Sequence, residues 1–97
     1  LVVVVDNGTY GTIRMHQERE YPGRVSGSDL FNPDFAKLAE AFGFVAFKAE
    51  RTEEVGPALQ AAVAAGRPAL LHLRLSPDVS TSRSTLTAIR EAALRRS

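Results

Sequence analysis

Cysteine is absent from the 97 residues, so neither a disulfide framework nor a thiolate metal site can be built from this chain. An excess of one charge is missing as well. Twelve Lys and Arg stand against eleven Asp and Glu, a formal net charge of +1, whereas a nucleic-acid binder carries a concentrated basic face. The one local cluster, Arg90 with Arg95 and Arg96, is what the dipole of a last helical turn favours in any case. Long apolar runs are lacking too: residues 1–5 are apolar and Asp6 ends the run, far short of the ~20 residues a membrane span needs and too short for a signal segment. Neither nucleic acid nor a membrane is therefore an expected partner, and a cytoplasmic setting is expected. Internal repeats, low-complexity tracts and a nucleophile elbow with Ser-His-Asp order are absent from the sequence.

What is present suffices for one small domain with one core, at 44% hydrophobic and 24% charged residues. The opening stretch organises the rest. Leu1-Val2-Val3-Val4-Val5 reads as a central strand of a parallel sheet, buried on both faces, and open α/β sheets place their ligand crevice beyond the carboxyl ends of such strands. Asp6-Asn7-Gly8-Thr9-Tyr10-Gly11 follows directly. A carboxylate, an amide and two glycines there offer oxygen ligands to Mg²⁺ and close backbone approach to a phosphate. Asn-Gly is equally the strongest short-range hairpin signal, so these residues alone leave open a return strand over residues 9–15.

The remainder of the chain alternates. Residues 9–19 suit a short helix. Residues 18–29 lack a period and contain Pro22-Gly23, which suggests a disordered segment or, with Tyr21 and Arg24 as residues that order on a ligand or partner subunit, a lid. Asn32-Pro33-Asp34 reads as N-cap, first helical residue and dipole partner, with Phe35, Leu38, Ala39 and Phe42 as one apolar stripe ending at Gly43. Residues 44–49 read as a strand. Thr52 opens a helix with Val55, Leu59, Ala62 and Val63 as its buried side, and Pro57 suggests that its regular part begins near Gly56. Residues 69–75 form a strand with Ala69, Leu71, Leu73 and Leu75 on one face and His72 and Arg74 on the other. A last helix from Ser84 turns Leu86, Ile89, Ala93 and Leu94 inward. This order predicts an α/β fold, three-layer α/β/α with a mostly parallel sheet, over one domain spanning residues 1–97.

Read in that order, the Asp6–Gly11 corner resembles the end of the thiamine diphosphate-binding signature of the acetolactate synthase and pyruvate oxidase family, in which Gly-Asp-Gly is followed one helix and one strand later by Asn-Asn. The resemblance continues through Arg14, Gln17-Glu18-Arg19, Tyr21-Pro22-Gly23-Arg24, Asn32-Pro33-Asp34-Phe35 and Gly66-Arg67-Pro68-Ala69. It implies a thiamine diphosphate- and Mg²⁺-dependent enzyme acting on 2-oxo acids by decarboxylation and carboligation. By the same resemblance Asn7 holds Mg²⁺ through its side-chain oxygen and Thr9 through its backbone carbonyl, and Tyr10, Gly11 and Thr12 lie beside the diphosphate. The first Asn of the family's pair is Asp6 here, for which the resemblance implies a role behind the ligands. The Gly-Asp-Gly segment, and the domain that supplies the family's cofactor-activating glutamate, are expected to precede Leu1. The chain is thus expected to be the second half of a C-terminal cofactor domain, inactive alone, in a parent that is a homodimer or homotetramer.

Two other readings stay open from the sequence: a plain 2-oxo acid decarboxylase or related lyase, and a non-catalytic α/β binding module. His16 is expected to be a solvated helix residue more than a substrate contact, and His72 to be packed or edge-exposed more than functional. Asp29 and Asp34 are explained by a turn and a helix dipole, and Ser80-Thr81-Ser82 by capping.

Overall fold

The computed structural model describes residues 1–96. Its elements are β1 (Val2–Asp6), α1 (Gly11–Glu20), α2 (Phe35–Ala41), β2 (Val45–Ala49), α3 (Thr52–Ala64), β3 (Ala69–Arg74) and α4 (Leu86–Arg96). This is the predicted alternation. Backbone packing groups them into two compact units, one made of Leu1–Asp6 with Asn32–Leu75, the other of Asn7–Phe31 with the residues from Ser76 on.

The first unit is a three-stranded parallel sheet in the order β1-β3-β2, with Val4 and Lys48 both opposite His72. Stepping from β1 past β3 to β2 and then back to β3 reverses direction across the sheet. Two right-handed crossovers of that kind put α2 and α3 on opposite faces, so the sheet is flanked by helices as the sequence predicts. The middle strand carries the core: Ala69, Leu71 and His72 are buried.

In the sheet that the described residues form, β1 lies at an edge, not in the centre as its valines suggest. α2 and α3 pack chiefly over β2 and β3, and Val2, Val3 and Val5 stay exposed, Val5 by 62%. A run of β-branched residues encodes a strand able to be covered on both faces, but not which neighbours cover it.

Helix starts differ from expectation for reasons visible in the hydrogen bonds. Asp34, not Asn32, caps α2: its Oδ1 accepts the N–H groups of Ala36 at 3.0 Å and Lys37 at 3.2 Å. Gly43 ends the helix as foreseen, with φ of 81°. α3 is regular from Thr52 despite Pro57, because Glu54 Oε1 fixes the first turn by accepting the N–H of Arg51 at 2.9 Å and of Glu50 at 3.3 Å. Its inward stripe is Val55, Ala58 and Ala62, while Leu59 and Val63, expected on that side, are exposed.

In the second unit α1 packs against α4. α4 begins at Leu86, later than expected, since Thr85 Oγ1 accepts the Ala88 N–H at 3.1 Å and Asp78 Oδ1 accepts the N–H and hydroxyl of Thr87 at 2.9 and 2.8 Å. Leu86 and Ala93 are buried, whereas Leu94 is exposed. Among the described residues no helix is long and apolar enough to cross a membrane.

Candidate cofactor site

The five-residue corner from Asn7 to Gly11 belongs to the second unit. Gly8 turns the chain with φ of 69°, a value that glycine adopts without steric cost. Thr9 then pairs as an isolated antiparallel bridge with Asp29, and the chain enters α1 at Gly11. The hairpin reading is therefore overturned. The partner of the corner lies about twenty residues away, and residues 11–15 are helix.

Hydrogen bonds hold several backbone groups of the corner. The Tyr10 N–H donates to the Ser28 carbonyl at 2.8 Å and the Leu30 N–H to the Gly8 carbonyl at 2.9 Å. Thr9 is buried; its hydroxyl donates to the same Ser28 carbonyl at 2.7 Å, and its N–H to Asn7 Oδ1 at 3.2 Å. That last bond orients the Asn7 amide with its oxygen toward Thr9 and its nitrogen over Gly11, where an added Cβ would stand 3.0 Å from Nδ2.

α1 starts without a side-chain cap at Tyr10 and without an acidic residue in its first turn. Its first N–H groups are thus left to an outside acceptor, the arrangement by which helix N-termini receive anions. Further along, Glu18 is 1% exposed. It accepts the Arg90 guanidinium at 2.8 Å and the Gly23 N–H at 3.0 Å. The Arg90 hydrogen bond holds the Glu18 carboxyl below its ordinary pKa, against the opposing effect of burial, and Glu18 in turn raises Arg90.

The structure thus brings Asn7 and Thr9 into contact and sets Asn7 over Gly11, with Tyr10 and Thr12 flanking the helix start. His16 is exposed, and the Asp29 side chain is 85% exposed with Arg14 at 3.7 Å. Among the described residues, no three or more His, Cys, Asp and Glu form a group that could hold a metal ion. The oxygens that the corner itself presents, Asn7 Oδ1 and backbone carbonyls, are neutral and of the hard kind that Mg²⁺ takes.

One polar cluster was not foreseen. In the first unit, Asp6 Oδ2 accepts from His72 Nε2 at 2.8 Å, and Asp6 Oδ1 from Asn32 Nδ2 at 2.9 Å; Arg74 Nε stands 3.7 Å from Oδ2. The Phe35 ring meets the His72 ring edge-on at 5.2 Å. A signal for it existed: Val4 and Asp6 stand opposite His72 and Arg74 in the parallel register, so the polar members of two strands share one face.

Residues 1–73 match the family described as "Thiamine pyrophosphate enzyme, C-terminal TPP binding domain". The large subunit of acetolactate synthase from Corynebacterium glutamicum is 39% identical over 66 residues, covering 63% of this chain and 10% of that protein. Acetolactate synthase from Mycobacterium avium is 37% identical over 83 residues, covering 79% and 13%. The mitochondrial acetolactate synthase catalytic subunit from Saccharomyces cerevisiae is 31% identical over 78 residues, covering 80% and 11%. The chain thus spans only 10–13% of the length of these relatives.

Proposed function

The chain belongs to the thiamine pyrophosphate enzymes, as part of their C-terminal TPP-binding domain, and on that premise we propose that its Asn7–Thr12 corner binds Mg²⁺ and the diphosphate of thiamine diphosphate in an acetolactate synthase-like enzyme acting on 2-oxo acids. The observation that carries this reading is the start of α1, whose first-turn N–H groups have no side-chain cap, directly beside the hydrogen-bonded Asn7–Thr9 pair. Asn7 Oδ1 and the Thr9 carbonyl serve as two oxygen ligands of the cation, and the N–H groups at the start of α1 take the diphosphate oxygens. Gly11 keeps the space that the Asn7 amide fills. When bound, the cofactor supplies the nucleophile and electron sink for breaking and making the bond beside a ketone carbonyl. The chain's own residues hold and orient it. That the relatives are acetolactate synthases supports acetolactate formation as the reaction, and the parent is proposed to work as a homodimer or homotetramer.

The test is calorimetric titration of the full-length protein with thiamine diphosphate, with and without Mg²⁺, followed by product analysis with pyruvate. Binding that requires Mg²⁺ and is weakened at least about tenfold by Asn7→Ala, with acetolactate as product, is the expected result. Mg²⁺-independent binding, or none, would sink the site assignment. Acetaldehyde and carbon dioxide without acetolactate would leave the site standing and make the protein a decarboxylase.

A further inference from the structure

We infer that residues 21–30 are a fixed brace that aims the Thr9 carbonyl, with the Thr9 hydroxyl as its working contact; this rests on the cofactor site proposed above. The argument starts from peptide geometry. A trans peptide unit is planar, and its C=O points opposite to its N–H. The Tyr10 N–H points at the Ser28 carbonyl, so the Thr9 C=O, in the same peptide unit, points away from the segment that holds Ser28. The preceding peptide unit is held as well, because the Gly8 carbonyl accepts from Leu30 and the Thr9 N–H donates to Asn7. Both planes flanking Thr9 are therefore set, and one of them is set by Ser28.

The Thr9 side chain adds the second bond to that carbonyl, at 2.7 Å. A carbonyl oxygen has two lone pairs, and Tyr10 N–H and Thr9 Oγ occupy both. Buried as it is, the hydroxyl has its donor engaged by the protein. Its contribution to a cation is through orientation, so Thr9 acts twice: the backbone presents an oxygen and the side chain keeps it aimed.

The brace is anchored at its other end by α1, the helix that the corner starts. Gln17 Nε2 donates to the Ser26 carbonyl at 2.7 Å, and its Oε1 faces the Ser26 N–H at 3.5 Å. Glu18 holds the Gly23 N–H and is itself held by Arg90 from α4. Corner, helix, turn and return segment close into one hydrogen-bonded loop. The stretch has the length and composition of a lid, and its bonds are those of a support. Partners of this kind that orient metal ligands typically change metal affinity by 10–100-fold when removed.

The experiment measures Mg²⁺ half-saturation of thiamine diphosphate binding to the full-length protein by calorimetry, with the urea unfolding midpoint recorded for every variant. Thr9→Val keeps the β-branched shape and deletes the donor; it is expected to raise the Mg²⁺ half-saturation about tenfold, while Thr9→Ser restores it to within about twofold of wild type. A purely structural role would lower the unfolding midpoint and leave the half-saturation in place, and that result would overturn the inference. If Thr9→Val does not fold, Gln17→Leu decides, since it loosens the far end of the brace with Thr9 intact. A rise toward the tenfold expected for Thr9→Val supports the brace and no rise overturns it. Wild-type binding without any Mg²⁺ dependence would defeat the proposed function itself, a result read from the wild-type arm alone.

Discussion

Asp6 and Asn7 are neighbours in sequence, yet the polar clusters built on them differ in what they leave over. Around Asp6 the partners are internal: His72, Asn32 and Arg74 engage its carboxylate, and His72 is fully buried under Phe35. At Asn7 the internal bonds fix the backbone of the corner, while the first turn of α1 keeps uncapped N–H groups for an acceptor outside the chain. His72 Nδ1 is buried without a hydrogen-bond partner, but the carboxylate at the centre of the cluster is engaged from within the chain, and a group so engaged holds strands together. One with donors to spare is able to bind. The chemically richer set, with a carboxylate, an imidazole and a guanidinium, is thus the structural one, and the plainer set is the candidate site.

The largest effect expected from breaking this contrast is at Asp6. Asp6→Ala leaves the buried His72 Nε2–H and the Asn32 amide without their acceptor, and each buried donor left unpaired costs about 1–3 kcal/mol. Urea denaturation is expected to register that loss. A change below about 1 kcal/mol would mean that the cluster is solvated and the contrast with Asn7 false.

Next in size is the Glu18–Arg90 pair, which offers a pH-resolved test. The folded-state pKa of Glu18 lies below its ordinary 4.5, so the stabilisation it brings is fully present above that ordinary value and is lost as the pH falls through the lower, folded-state one. Glu18→Gln is expected to cost about 1.5–3 kcal/mol at neutral pH, in the range for hydrogen bonds to charged groups. Its stability curve should converge on that of the wild type in acid. Parallel curves at all pH values would show that the carboxylate charge contributes nothing.

These two clusters also mark where the sequence was readable. Alternating strands and helices, the stop at Gly43 and the shared face of His72 and Arg74 follow from periodicity and local turn chemistry, and the structure has them. The Asp6–His72 pair needed one further step, the parallel register of β1 on β3, which depends on strand order. No local pattern announces that order. Ser28 as the partner of Thr9 and Tyr10 is less legible still, because the bond uses a backbone carbonyl nineteen residues from Thr9, and every residue type has one. Asn32 and Asp34 show the same limit at short range. Both are good caps, and Asp34 takes the helix while the Asn32 amide is drawn to Asp6.

The smallest effect on stability is expected at Gly11, where the comparison is sharpest. Its φ is outside the positive range, and alanine is the better helix former by roughly 1 kcal/mol, so Gly11→Ala meets no backbone penalty. The one atom its Cβ would approach, at 3.0 Å, is the nitrogen of the Asn7 side chain, a terminal group able to move aside. The fold therefore keeps its stability or gains a little, while Asn7 is pushed from the position in which its oxygen accepts from Thr9. Thiamine diphosphate binding in Mg²⁺ should weaken about tenfold, as for other disturbed metal ligands, with an unfolding midpoint at or above that of wild type. Opposite signs in the two measurements separate a residue kept for binding from one kept for the fold, and equal binding by the variant would remove Asn7 from the site.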